Sequence, residues 1–440
     1  MCSFLFSTKH NNENINDINY YLKFRGPDKT TIKFINNNVF IHNLLSITGD
    51  FKPQPYEDDK LIIIYNGEIY NYKNFGNYSC DGECLIPLYK QYGSSFIKLL
   101  DGEFAICLVD YEKQILILSS DIFKTKPLFF SLYNDSFGCS TYKTPLEKLN
   151  YKNIQKASPN TIYTICLKTY KILNQESIYD FDLNQYKKTY DDWIIAFENA
   201  IKKRTDNTDK KIFIGLSSGY DSGLIFNQLI KNNIDFYSYS LLGTENEKII
   251  SERLKIYNKN HLSLKKNNQD YYFSNLIINN KTEPFKYTIK SDSTDHTDYI
   301  PLHQDGGSNN FATICKYAKK NKCKICLSGT GADEIISDYG FNGEKFYPHS
   351  NFGGKFPDDL SKIFPWSSFY GSTLESYIAK EEYVGGAFGI EMRYPFLDKD
   401  VVQEFLWLHQ DFKNKEYKAP IDYYFNNNNF PYSKLEKLGF

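Results

Sequence analysis

The sequence predicts an α/β chain in two parts: a strand-dominated α+β first half, then a second half built on a parallel sheet. Three observations carry this. Segments 61–65, 104–110 and 114–119 have the apolar, alternating pattern of strands, and one clear helical stretch, 83–92, falls among them. Ile212-Phe213-Ile214 is an apolar, β-prone run. It turns through Gly215-Leu216-Ser217-Ser218-Gly219-Tyr220-Asp221-Ser222-Gly223 into a helical pattern over 224–230. Further strands at 236–242 and 324–327 alternate with helical stretches, which is the arrangement of a parallel sheet with its site at the C-terminal strand ends. A helix over 189–204, with Trp193, Ile194, Phe197, Ala200 and Ile201 at helical spacing, leads into this second half.

Composition bounds the function. At 440 residues, with 41% hydrophobic and 24% charged content, the chain can build two or three cores. Lys and Arg number 52 against 53 Asp and Glu, so no basic excess points to nucleic acid or an anionic membrane. No apolar run reaches the roughly 20 residues of a membrane-spanning helix, and the N-terminal stretch lacks the basic flank of a signal peptide. Nine scattered cysteines suit reduced thiols in a cytoplasm. Cys323 and Cys326 form the one CxxC, with no second pair at zinc-finger spacing, and read as core thiols. His296 and His303 do not make a ligand set.

The turn 217–222 is where the chemistry begins. A strand, a Ser/Gly turn and a helix start place backbone N–H groups, hydroxyls and a positive dipole end around one point, which suits phosphate. Asp221 would repel a bare anion and makes sense as the ligand of a metal that binds phosphates in turn. The Lys of a Walker loop is missing. The strand at 324–327 ends in a second small-residue turn with an acid, Ser328-Gly329-Thr330-Gly331-Ala332-Asp333. Together the two turns could hold Mg²⁺ over a triphosphate.

Cys2 is the other notable residue. Removal of Met1 would free its α-amine, giving a nucleophile and base in one residue. Downstream lie Arg25-Gly26-Pro27-Asp28, Asn66-Gly67-Glu68 and Cys80-Asp81-Gly82-Glu83. Asn66-Gly67 can supply a side-chain amide and a backbone N–H, as an oxyanion hole requires. In this combination the first half resembles the class II glutamine amidotransferase domain, an N-terminal-nucleophile αββα sandwich. The resemblance implies Cys2 as nucleophile toward glutamine, Asn66 and Gly67 as oxyanion hole, and Glu68 and Asp81 on the glutamine α-amine. Arg25 and Asp28 fall in the family's Arg-Gly-Pro-Asp loop, with Arg25 on the glutamine.

The turn 217–222 resembles the pyrophosphate loop, Ser-Gly-Gly-x-Asp-Ser, of enzymes that split ATP to AMP and pyrophosphate, with Ser218 where the first Gly stands. With Glu391-Met392-Arg393-Tyr394-Pro395-Phe396-Leu397-Asp398 and Lys434–Phe440 added, nearly the whole chain resembles the asparagine synthetase family. That implies an amidotransferase domain over 1–170 and an ATP-pyrophosphatase domain, adenine nucleotide α-hydrolase-like, over 185–440. Ser217, Ser218, Gly219, Asp221 and Ser222 would bind pyrophosphate. Leu216 and Leu241 would read adenine through the backbone, and Ser328 and Gly329 would line the AMP site. Asp221 and Asp333 would hold Mg²⁺. Lys437, with Lys418 as a second candidate, would reach the ATP phosphates.

Two departures bear on substrate. Leu44 stands where the family has the Arg that clamps the glutamine α-carboxylate, a contact worth about 1.5–3 kcal/mol, so weak glutamine binding or use of free ammonia is expected. Thr330 stands where the family has a catalytic Glu, which suits an acceptor other than aspartate. Segment 291–310, polar and ending in Gly-Gly after Glu283-Pro284, reads either as a surface insertion or as an acceptor loop for a sugar acid. The reading favoured is an ATP-dependent amidotransferase, a carbon–nitrogen ligase that forms an acyl-adenylate. Asparagine synthetase proper and a weakened homologue serving as a scaffold subunit are the alternatives. The expected partners are glutamine or ammonia and a small carboxylate, without nucleic acid or membrane, and with a homodimer left open.

Overall fold

The computed structural model describes residues 2–9, 14–133, 135–243, 245–265, 276–279, 282–290 and 297–434. The first half is a sandwich of two six-stranded antiparallel sheets. One sheet runs in the order Gln155–Lys156, Phe129–Leu132, Phe137–Ser140, Ser3–Ser7, Asn38–Leu44, Lys29–Ile35. The other runs Ile172–Ser177, Thr161–Cys166, Ile115–Ser120, Gly102–Asp110, Leu61–Ile69, Tyr56–Asp58. The strand Leu61–Ile69 shows why the layers form. Ile62 and Ile64 point into the core between the sheets with Phe4, Phe6 and Phe40. Leu61, Ile63 and Tyr65 point the other way, onto Leu85, Leu88 and Tyr89 of the helix Leu85–Tyr92. A strand apolar on both faces must be covered on both. Short helices at Leu22–Arg25 and Lys143–Lys148 cover the other sheet, which gives the expected αββα layering. The last strand, Ile172–Ser177, carries the sandwich past residue 170.

The second half is a five-stranded parallel sheet in the order His261–Lys265, Phe236–Leu242, Lys211–Gly215, Cys323–Leu327, Glu391–Arg393. The helices Tyr220–Lys231 and Gly306–Lys320 pack on it. The helix Asp191–Thr205 leads in, with Asp191 and Asp192 in its first turn and Lys202, Lys203 and Arg204 in its last, each favourable to the helix dipole. No helix among the described residues is long and apolar enough to cross a membrane. All nine cysteines are free thiols, with Cys323 and Cys326 buried as expected.

Segment 291–310 differs from the loop expected. Residues 291–296, with His296, lie outside the described residues. Thr297–Pro301 pairs with Lys286–Lys290 as an antiparallel hairpin, and Gly306-Gly307 opens a 15-residue helix capped by Asp305, whose side chain accepts from Ser308 N–H. The Gly pair is therefore a helix start. Glu283 Oε1 accepts from Thr144 N–H at 2.9 Å, on the first half.

The two halves meet through buried charges. Arg25 Nη2 lies 2.7 Å from Glu382 Oε2, and Lys126 Nζ lies 3.0 Å from Glu382 Oε1 and 3.3 Å from Glu103 Oε2. Arg204 bridges Glu103 and Asp398, each at 2.8 Å. Arg393 pairs with Glu391 at 2.7 Å and reaches Glu68 at 3.3 Å. Such charges are tolerated in a core only because each is paired and hydrogen-bonded.

Candidate active sites in two halves

Cys2 immediately precedes the strand Ser3–Ser7, which packs across the sandwich from Leu61–Ile69, the strand of Asn66 and Gly67. Cys2 is buried, and its Sγ accepts from Leu45 N–H at 3.5 Å. Burial pushes its thiol up to about 12, so it stays protonated at neutral pH and needs a base to become a nucleophile. Asn66 is fully buried, yet neither its amide nitrogen nor its oxygen has a partner among the described residues. A buried amide is rarely left so unless a ligand completes it. Gly67 adopts φ +135°, and a Cβ there would lie 1.9 Å from Glu103 O, so only Gly fits.

Around this pair, Asp81 takes hydrogen bonds from Tyr65 OH at 2.6 Å and from Ile69 N–H at 2.9 Å, and burial raises its carboxyl to about 6. Glu68 accepts from Thr48 Oγ1 and faces Arg393. Leu44 is buried in its strand. Arg25 corrects the expectation of a glutamine contact. Its Nε donates to Cys2 O at 3.1 Å while Nη1 and Nη2 donate to Glu382 O and Oε2, each at 2.7 Å. It positions the Cys2 backbone and anchors the second half. Asp28 accepts from Ser46 N–H at 2.9 Å and pairs with Lys324 at 2.8 Å.

The second site lies at the ends of the strands Lys211–Gly215 and Cys323–Leu327. The turn 217–222 is braced internally by the Ser217 and Ser222 hydroxyls, 2.7 Å apart, and by Gly219 N–H donating to Ser217 Oγ at 3.1 Å. Arg253 Nη1 donates to the carbonyls of Ser217 and Gly219 at 2.6 and 3.0 Å. This keeps the carbonyls away from the helix start, where N–H groups gather. Gly223 leaves room for this guanidinium, since a Cβ would lie 2.6 Å from Arg253 Nη2. Ser218 donates from both N–H and Oγ to Glu245 Oε2 at 2.8 Å and accepts from Asn246 N–H at 3.2 Å. Its hydroxyl is thus tied to the turn after Phe236–Leu242, and a carboxylate occupies the backbone donor of residue 218. The N–H of Leu216 is spent on Tyr239 O at 2.8 Å, and its carbonyl accepts from Ser240 Oγ at 2.7 Å with a second lone pair remaining. Leu241 pairs with Leu264 within the sheet.

The two acidic turns converge. Gly329 permits this, because a Cβ there would lie 2.8 Å from Asp221 Cβ. Lys418 Nζ lies 2.6 Å from Asp221 Oδ1 and 2.8 Å from Asp333 Oδ1. Asp333 opens a π-helical turn, Asp333–Ser337, and also accepts from Tyr417 OH at 3.0 Å. Two carboxylates from separate strand ends thus share one positive charge, the donor set that a hard dication over phosphates would use. Among the described residues no group of three or more acidic, His or Cys side chains could hold a metal, so Mg²⁺ here would draw on these two carboxylates, substrate oxygens and water. Lys418 is the lysine that the structure brings to this point. Lys437 lies outside the described residues.

Thr330 holds a surprise. Its Oγ1 donates to Glu381 Oε1 at 3.1 Å, and Ser328 Oγ donates to the same oxygen at 2.8 Å. Thr330 itself carries no charge, but a carboxylate reaches it from the helix Ser372–Ala387. Glu381, Glu245 and Arg253 escaped the sequence reading because nothing in their local patterns marks them. Only the tertiary fold brings them to the turns.

A glutamine amidotransferase domain model matches residues 1–181. A Methanocaldococcus jannaschii protein, provisionally named asparagine synthetase (glutamine-hydrolysing) 1, is 26% identical over 91% of this chain and 74% of its own length. The Lotus japonicus asparagine synthetase (glutamine-hydrolysing) 2 is 26% identical over 87% of this chain and 64% of its own length. For the Mus musculus asparagine synthetase (glutamine-hydrolysing) the values are 26%, 88% and 73%. The chain thus spans from just under two thirds to about three quarters of these relatives. With the antiparallel sandwich, the parallel sheet and the paired acidic turns in sequence order, these matches make the chain similar to the asparagine synthetases over about nine tenths of its length, with a glutamine amidotransferase domain matched over its first half.

Proposed function

We propose that the chain is an ATP-dependent carbon–nitrogen ligase that activates a carboxylic acid as an acyl-adenylate, releases pyrophosphate, and amidates the acyl group with ammonia from glutamine. The observation that carries this reading is the convergence of Asp221 and Asp333 on Lys418 at the N-terminus of the helix Tyr220–Lys231. Helix N–H groups and the Ser217 and Ser222 hydroxyls would take the pyrophosphate oxygens, and Lys418 would meet the charge that develops at the α-phosphorus. Asp221 and Asp333 would hold Mg²⁺, which when bound supplies charge neutralisation for the phosphates. In the first half, the α-amine freed by loss of Met1 would take the Cys2 proton as Sγ attacks the glutamine side-chain amide. Asn66 Nδ2 and Gly67 N–H would hold the oxyanion. Ammonia leaves, and water then frees glutamate from the thioester. Leu44 makes glutamine a weak substrate in this reading, with free ammonia as the competing source.

Two observations bear on the acceptor in opposite directions. Thr330 and the polar segment 291–310 favour an acid other than aspartate, such as a sugar acid. Glu381 against the Thr330 hydroxyl favours the second reading, aspartate itself, by returning a negative charge to that pocket. The test is mass spectrometry of the full chain with ATP, Mg²⁺ and either ammonium or glutamine, with aspartate set against uronic acids. Formation of AMP and an amide supports the reading, and the amide formed names the acceptor. No AMP with any acid overturns it in favour of a scaffold role.

A further inference from the structure

Ser328 and Thr330 each spend their one hydroxyl proton on Glu381 Oε1. A hydroxyl has a single proton to donate, so toward any ligand these two oxygens can only accept. Ser328 Oγ already accepts from Thr330 N–H at 3.1 Å. Thr330 Oγ1 has no donor among the described residues and the side chain is only half-buried, so its lone pairs remain available. The second carboxylate oxygen, Glu381 Oε2, is sealed from solvent and has no partner among the described residues. Lys380, the adjacent cation, is committed to Asp305 at 2.8 Å. Toward a ligand the two hydroxyls are therefore acceptors only, and the Glu381 carboxylate, when ionised, lacks a donor at one oxygen. Such a group is costly to bury until a cationic donor meets it. Burial raises the Glu381 carboxyl to about 7, against the pull of the two hydroxyls, so a cation arriving at neutral pH would hold it ionised.

We propose that Glu381 Oε2 and Thr330 Oγ1 form a subsite for an ammonium group beside the ATP turn. Gly329, packed against Asp221, places this subsite next to the phosphates in the proposed reaction, and its use in amidation rests on that reading. Two sources share the chemistry. One is the ammonium ion. Glu381 would accept one of its protons, the resulting ammonia would form the C–N bond at the acyl carbon, and the C–O bond to AMP would break with its electron pair leaving on AMP. The second nitrogen-bound proton lost in forming the amide would pass to the departing phosphate. The other source is the α-ammonium of an amino-acid acceptor, which would be oriented there without any bond change.

Rubidium, an ammonium-sized cation with anomalous scattering, tests the subsite directly in crystals of the full chain. An anomalous peak at Glu381 Oε2 is expected in the wild type and in neither Glu381→Gln nor, at full height, the near-isosteric Thr330→Val. A wild-type crystal without the peak overturns the proposal. Kinetics then separate the sources. A rise of on the order of tenfold or more in the ammonium KM of Glu381→Gln, with ATP–pyrophosphate exchange unchanged, assigns the ammonium ion. The same rise in the aspartate KM for exchange, with the ammonium KM unchanged, assigns the α-ammonium. A folded Glu381→Gln that changes neither overturns the functional role. Rubidium binding in a wild type that makes no AMP refutes the ligase reading and leaves the subsite standing.

Discussion

Lys418 and Asp221 form a partly buried ion pair in which one ammonium lies 2.6 and 2.8 Å from the two oxygens of one carboxylate. The same ammonium neutralises Asp333, so it occupies the point where ATP charge must be met. Lys418→Met should lower AMP formation by about 10²-fold or more while leaving glutaminase activity in place. Rapid-quench measurement of AMP against glutamate release checks this, and near-normal AMP formation would assign the role elsewhere.

Cys2→Ala should remove glutamine-dependent amide formation and spare the ammonium-dependent reaction. The two nitrogen sources, run side by side on one preparation, provide the readout. Loss of both would mean that Cys2 serves the structure.

Asn66→Ala removes a buried amide that has no partner among the described residues. The expected result is a fall in glutaminase kcat of about 10²–10³-fold with little loss of stability, because no internal hydrogen bond is broken. A large drop in melting temperature with unchanged kcat would make Asn66 a structural residue.

Glu382→Gln leaves Arg25 and Lys126 facing a neutral amide in a buried contact. Breaking a buried pair costs about 3–5 kcal/mol, and urea unfolding should show a loss of that order. Because Arg25 also holds the Cys2 carbonyl, the same variant should raise the glutamine KM.

His42 sets an acid limit on the fold. It is fully buried, its Nε2 lies 3.3 Å from Tyr65 O, and burial lowers its pKa from 6.5 to about 3. The unfolded chain takes up the proton below about 6.5 and the folded chain only below about 3, so stability is full above 6.5 and falls as pH drops through that window. Between pH 7 and a pH of about 5 this group should cost about 2 kcal/mol. His42→Gln should flatten that loss in urea titrations at the two pH values. An unchanged slope would show that the imidazole protonates in place.

Elements whose apolar pattern is local were legible in the sequence. The expected strand 324–327 appears as Cys323–Leu327, and the helix expected over 189–204 is Asp191–Thr205. The strand Glu391–Arg393 was not legible: it is three residues long, two of them charged, and its charges are met by each other and by Glu68 on the first half. Turn residues such as Asp221 and Asp333 announced themselves by spacing. Their partner Lys418 rests on a left-handed backbone, φ +49°, at the start of a helix far along the chain. The Arg25 loop points to glutamine, whereas Glu382, 357 positions away, claims its guanidinium. Nothing local in a sequence tells which distant charge will neutralise a given one.

The buried charges between the halves also bear on how this polypeptide can change over time. Arg25, Lys126 and Glu103 stand on one side of the seam, and Glu382, Arg204 and Asp398 on the other. Splitting the gene within 178–190 would give each product a face of stripped ions, too costly to desolvate alone and too polar to pack with a foreign module. A reversal of sign at one member therefore becomes tolerable only when its counterpart on the other half reverses as well.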